Sequence, residues 1–190
     1  AGGAIAAYRL AEAGRKVLVL EAGRHVDPAD FSDDEVRQIA LLYADGALQQ
    51  STDFAFRVLQ GKCVGGSTTV NNAVCFDLPE HVRNAWNARY EAGIDPDRLR
   101  AAFASPQKLI GVTRPPSEHL EGGWQTFEAG VEALGLIDAG YKLGVVDANI
   151  ADCPGSGYCN IGCPYGNKLS TLHTLLPQAQ RKFSEENLRV

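Results

Sequence analysis

The chain has no methionine and only two tryptophans among its 190 residues. No apolar stretch approaches the roughly 20 residues needed to cross a bilayer as a helix, and the run Val17 to Leu20 is strand-sized. An excess of positive charge is missing too. The formal net charge is -5, which argues against a nucleic-acid binder, since such proteins normally need a basic face. Five cysteines make an odd number, so a disulfide framework is not the natural reading. Reduced thiols in a cytoplasmic setting are expected instead. No internal repeat or low-complexity tract is found.

What is present is enough apolar residue, 45% of the chain, to bury one sizeable core. The chain opens on "AGGAIAAYRLAEAG", already helical in pattern, and stops at "SEENLRV", where a strand is about to start. Domains rarely begin or end inside an element, so a fragment of a longer protein is expected.

Alanines with Ile5, Tyr8 and Leu10 predict a helix from Gly3 to Glu12, stopped by Gly14 at its C′ position. The run Val17 to Leu20 suits a parallel strand buried on both faces, ending at the acidic Glu21. A second helix is expected over 32–48, with Ser32 as its cap and Asp33, Asp34 and Glu35 in its first turn. Residues 79–104 read as polar helix, with Asp95 and Pro96 marking a fresh start. A helix over 118–134 follows from Leu120, Trp124, Phe127, Val131 and Leu134 at three-to-four spacing. Residues 138–168 are loop-rich, and a last helix runs from Ser170 to Lys182.

Helix, strand and terminal acid form the second half of a mononucleotide-binding βαβ unit. There, glycines bring backbone close to a pyrophosphate, and the acid accepts hydrogen bonds from ribose hydroxyls. Gly3 and Glu21 are separated by close to the ~20 residues that such a unit requires. An alanine-rich helix before a solvated strand-end Glu is the alternative. A second cue is "GKCVGGSTTVNN" at 61–72. Gly65 and Gly66 remove the Cβ atoms that would hold a ligand off the backbone. Ser67 is a good N-cap for a short helix continuing from Thr68 to Val74.

"AGGAIAAYRLAEAGRKVLVLEAG", "GKCVGGSTTVNNAV" and "GCPYGNKLSTLHTLLPQA" together resemble three consecutive landmarks of the glucose–methanol–choline (GMC) family of flavoprotein oxidoreductases. Cys75 stands where many members carry an aromatic residue, and "NNAVCF" resembles the long-chain-alcohol and sugar dehydrogenase-like branches. The resemblance implies an α/β fold: a partial Rossmann-like FAD-binding domain, without its first strand, carrying helical insertions and a loop-rich segment. It implies FAD, with Glu21 on the adenosine ribose, Gly3 near the pyrophosphate, and Gly65, Gly66, Ser67 and Asn71 along the pyrophosphate and flavin. The expected division is 1–81 for FAD binding, 82–150 as a helical segment near the substrate domain, and 151–190 as a return to the FAD-binding domain.

The implied chemistry is hydride transfer from an alcohol carbon to flavin N5, with an electron-acceptor protein or O2 taking the electrons. A GMC-fold lyase and a non-catalytic remnant are the alternatives. None of His25, His81, His119 and His173 sits in the family's catalytic motif. No catalytic residue is assigned, and His173 reads as a partly exposed helix residue. Cys153, Cys159 and Cys163 form a C-x5-C-x3-C array, read as loop thiols with an iron–sulfur cluster as the alternative. "GCPYGNKLS" does not meet the G-x-x-x-x-G-K-[ST] phosphate-loop pattern, because Asn167 precedes Lys168 and Leu169 follows it.

Overall fold

The computed structural model describes residues 1–116, 122–183 and 187–190. Helix α1 (Gly2–Glu12) leads into strand β1 (Val17–Leu18), and α2 spans Glu35–Leu42. A one-turn helix α3 (Ser67–Val70), strand β2 (Val74–Cys75) and helices α4 (Glu80–Tyr90), α5 (Pro96–Leu109) and α6 (Gly123–Ala133) follow. Strand β3 (Asp147–Ala148), helix α7 (Leu175–Phe183) and strand β4 (Leu188–Arg189) complete a mixed α/β chain whose strands are few and short.

Helix α1 ends where its sequence says it should. Gly14 takes a φ of +73°, and the amides of Gly14 and Arg15 reach back to the carbonyls of Ala11 and Leu10. This crossed pair is the Schellman stop that a C′ glycine permits. Two residues later β1 pairs in parallel with β4, Val17 opposite Leu188 and Leu18 opposite Arg189. The expectation of a strand buried on both faces fails. Val17 and Val19 pack inward against α1 and α7, whereas Leu18 and Leu20 are 67% and 85% exposed. Period-two alternation therefore governs this strand despite its unbroken apolar run.

Ala7, Tyr8, Ala11, Leu175, Ala179 and Leu188 make the core between α1, α7 and the parallel pair. The small α1 residues let α7 approach closely, and Phe183 meets the Tyr8 ring edge-on at 5.3 Å. A second core holds Val26, Phe31, Leu42, Tyr43, Cys63 and Val70. It fastens α2 to the segment carrying the glycine turn.

Helix α2 differs from its expected limits. Asp34, not Ser32, is the cap, accepting the Arg37 amide at 3.0 Å, and Ser32 Oγ instead accepts from Gln38 at 3.2 Å. The helix stops at Leu42 because Tyr43 goes extended, φ -104° and ψ 148°. Its hydroxyl then donates to the Asn160 carbonyl at 2.6 Å. Asp95 caps α5 as expected, accepting from the Arg98 amide at 2.8 Å, with Pro96 in the first turn. Helix α6 begins at Gly123, and the expected Leu120, like His119, lies outside the described residues. Strand β2 pairs antiparallel with β3, which brings the two ends of the central helical segment together.

Candidate functional site

The C-terminal end of β1, the start of α1 and the glycine turn meet at a cleft of roughly 240 Å³. Gly3, Glu21, Gly65, Gly66 and Thr171 line it. Four of the six residues expected along a dinucleotide are thus brought together. Ser67 and Asn71 are not among the lining residues. Ser67 Oγ accepts the Gly61 amide at 3.0 Å. Asn71 Oδ1 accepts the Ala73 amide at 3.1 Å, which turns the chain out of α3 into β2.

Helix α3 corrects the expected capping. Gly66, not Ser67, is the N-cap, with φ 56° and ψ -142°, a combination that only glycine adopts without strain. The helix ends at Val70 instead of running on to Val74, and one turn of helix carries little macrodipole. Polarity at the turn comes from individual amides. The N–H groups of Gly65 and Ser67 have no acceptor among the described residues.

The glycines divide into two kinds. A Cβ on Gly65 would stand 2.4 Å from Thr69 Oγ1 and 3.0 Å from Leu172 Cβ, so the protein itself demands glycine there. A Cβ on Gly3 or Gly66 would meet nothing within 4 Å. Glu21 sits at the rim, exposed, and one carboxylate oxygen accepts the Gly23 amide at 2.8 Å. That bond fixes the side chain while its other oxygen has no partner among the described residues.

Two residues to which sequence reading gave no role hold the turn in place. Thr171 Oγ1 donates to the Gly65 carbonyl at 3.2 Å, and its amide donates to Thr68 Oγ1 at 3.1 Å. Lys168 is only 2% exposed. Its Nζ donates to the carbonyls of Thr69, Asn71 and Cys159 at 2.7, 2.8 and 2.5 Å. Burial lowers its pKa from 10.5 to about 8, against the opposing pull of the Cys159, Cys163 and Cys63 thiols. The charged form therefore costs stability in the folded chain. That cost is relieved as pH rises from about 8 toward 10.5, the window in which the unfolded chain keeps the proton longer. Relative to Lys168→Met, which cannot titrate, the wild type is expected to gain up to about 3 kcal/mol across that window. Urea unfolding of both proteins at several pH values measures it, and parallel pH curves would remove the assignment.

His173 is partly exposed, as expected, but is not a helix residue. It lies in the turn before α7, with Nδ1 3.0 Å from Ser170 Oγ and Nε2 buried without a partner among the described residues. Burial first, and the Lys168 charge second, push its pKa below 6.5. The cysteines are all free. Among the described residues no three His, Cys, Asp or Glu side chains converge to hold a metal ion. Cys153 and Cys163 lie near enough to Cys159 to act on its thiol, without forming such a group. The Cys153 sulfur instead accepts the Gly155 amide at 3.4 Å.

A model of GMC oxidoreductases matches residues 39–189. This chain belongs to the GMC oxidoreductase family. It is 34% identical to a long-chain-alcohol oxidase of Arabidopsis thaliana, over 94% of this chain and 23% of that relative. It is 31% identical to an uncharacterized GMC-type oxidoreductase of Mycobacterium tuberculosis, over 94% of this chain and 28% of the other. The GMC chain thus spans about a quarter of these relatives' length. The matched region takes in the glycine turn, Lys168 and Thr171, while Gly3 and Glu21 precede it. GMC oxidoreductases are FAD-dependent. Among the described residues no helix of this GMC chain is long and apolar enough to cross a membrane.

Proposed function

We propose that this chain is the FAD-holding part of an oxidoreductase acting on CH–OH groups, with the ribose and pyrophosphate seated in the cleft between α1, β1 and the glycine turn. The convergence of Gly3, Glu21, Gly65 and Gly66 on one cleft, with free space where two of those glycines lack a Cβ, carries the reading. A volume of about 240 Å³ suits part of a dinucleotide better than the whole, since whole-ligand pockets run from ~300 Å³ upward.

Glu21, held by the Gly23 amide, has an oxygen left to accept from ribose hydroxyls. The unpartnered amides of Gly65 and Ser67 are donors for anionic oxygens, and Gly3 and Gly66 let backbone approach. Asn71, turned away to Ala73, acts by shaping the exit of the turn. When bound, FAD supplies the hydride acceptor for oxidation of an alcohol carbon. That alcohol-directed chemistry is supported by the family and by the long-chain-alcohol oxidases among its relatives. Residues 1–81 and 151–190 together make the FAD-binding part, and 82–150 form a helical segment toward the substrate side.

The two kinds of glycine give the test. Gly3→Ala, inside a helix and with open space at Cβ, is expected to stabilise the fold by about 0.5–1 kcal/mol. In the intact protein the same change should weaken FAD binding at least ~10-fold, because its methyl enters the ligand's space. Gly65→Ala is expected to damage folding itself. Flavin-fluorescence titration beside urea unfolding separates the effects. Wild-type FAD affinity in Gly3→Ala would refute the placement.

A further inference from the structure

Lys168 is a buried cation with no carboxylate among its hydrogen-bond partners. All three of its N–H groups go to main-chain carbonyls, an arrangement that solvates an ammonium without neutralising it. Two of those carbonyls, Thr69 and Asn71, lie at the C-terminal end of α3, where carbonyls lack helical partners and a cation is favoured. The third, Cys159, belongs to the 3-10 turn Tyr158–Ile161. Three residues on, Thr171 grips the opposite end of α3 through Gly65 and Thr68. The segment 168–171 thus holds both ends of the one-turn helix whose leading glycines line the cleft.

We propose that Lys168 is the positioning residue of the glycine turn: its ammonium pins the C-terminal end of α3 and sets a positive charge at the turn, so that cofactor binding weakens as its proton is lost. The proposal rests on the FAD reading given above. An ammonium offers three donors to three carbonyls. A neutral amine keeps two of those donors, so α3 stays held, but it carries no positive charge. Bound anionic oxygens at the turn favour the charged form, so affinity is full while Lys168 is protonated and falls as the proton leaves.

The titratable groups bearing on Lys168 are the thiols of Cys63, Cys159 and Cys163 and the imidazole of His173. Burial raises the thiols of Cys63 and Cys159 above 9.0 and helps to hold His173 below 6.5. Cys63 and Cys159 thus keep their protons and His173 stays neutral at the pH where Lys168 changes, about 8.

The test is FAD binding by the intact protein, followed by fluorescence quenching from about pH 6.5 to 9.5, in wild type and Lys168→Arg, whose guanidinium stays charged throughout. The wild-type Kd is expected to rise about tenfold per pH unit above about 8, the slope for one proton, while Lys168→Arg stays level. A break shared by both proteins, or level curves in both, overturns the proposal. If wild type binds no FAD at any pH, the FAD reading fails and the clamp is judged without ligand, by amide exchange over residues 65–73. Protection lost in Lys168→Met and kept in wild type, both at pH 7, supports the clamp. Equal protection in both proteins overturns it. Should Lys168→Arg not fold, the Lys168 side chain labelled with ¹⁵N and observed in wild type decides the matter. An amine signal titrating together with the amide shifts of Thr69 and Asn71 supports the proposal, and amide shifts that ignore it overturn it.

Discussion

Gly23→Ala is expected to cost about 4 kcal/mol or more, enough to remove most of a small domain's stability. A Cβ built on Gly23 would stand 2.1 Å from both the carbon and the oxygen of the Lys62 carbonyl and 2.4 Å from the Cys63 amide nitrogen. All three are backbone atoms, so no rotamer change relieves the clash. The backbone cannot retreat either. Arg24 bridges to Cys63 in parallel, and the Val64 amide donates to the Arg24 carbonyl at 2.9 Å. Gly130→Ala is the control: it lies inside α6 with nothing within 4 Å of its added methyl and is expected to be neutral or slightly stabilising. Urea unfolding of the two variants makes the comparison. A Gly23→Ala midpoint within experimental error of wild type would show that the turn after Glu21 does not rest on the 62–63 backbone.

Leu42→Ala comes next, with an expected loss of about 2–5 kcal/mol. Leu42 is fully buried in the core made with Val26, Phe31, Tyr43, Cys63 and Val70. It does two things at once. Its side chain fills that core, and its carbonyl accepts the Lys62 amide at 2.7 Å, aligning the strand-like segment that leads into the glycine turn. Truncation leaves a cavity against Val70, the last residue of α3, so the loss should appear in cofactor affinity as well as in stability. Leu42→Met, similar in volume, is expected to cost under ~1.5 kcal/mol. Equal costs for the two variants would argue that the site collapses freely and does not support the turn.

Features set within one turn of chain were legible in the sequence. The Gly14 stop and the Asp95–Pro96 start depend on residues three or four apart, and both formed as read. The family landmarks were legible as well, because a glycine pair followed by small hydroxyl residues is a demanding local pattern. Features that depend on distant partners were not. Nothing near Leu42 in the chain ends α2 there. Tyr43 leaves the helix to reach Asn160, 117 residues away. Lys168 stood out only as a failed phosphate-loop lysine, since the carbonyls that define its role lie 97 and 99 residues upstream. Ser67 resembled a cap by type, but the left-handed φ at Gly66 set the helix start one residue earlier than its hydroxyl could serve. The apolar run at 17–20 suggested burial on two faces, and only the pairing with β4 revealed which side chains point inward.

The parallel pairing of Val17 with Leu188 also sets an order of events. Closing a loop that takes in nearly the whole chain carries a large entropic cost and delays the contacts that reward it. Local helices can form as the polypeptide leaves the ribosome, but the cleft beside Glu21 also needs Thr171, Leu176 and Val190, which are synthesised long after α1. The cleft-lining glycines at the start of this chain must wait for its end, and until then β1 lacks the β4 partner that pairs with it here. Such a strand is a substrate for chaperones and a seed for aggregation until synthesis catches up.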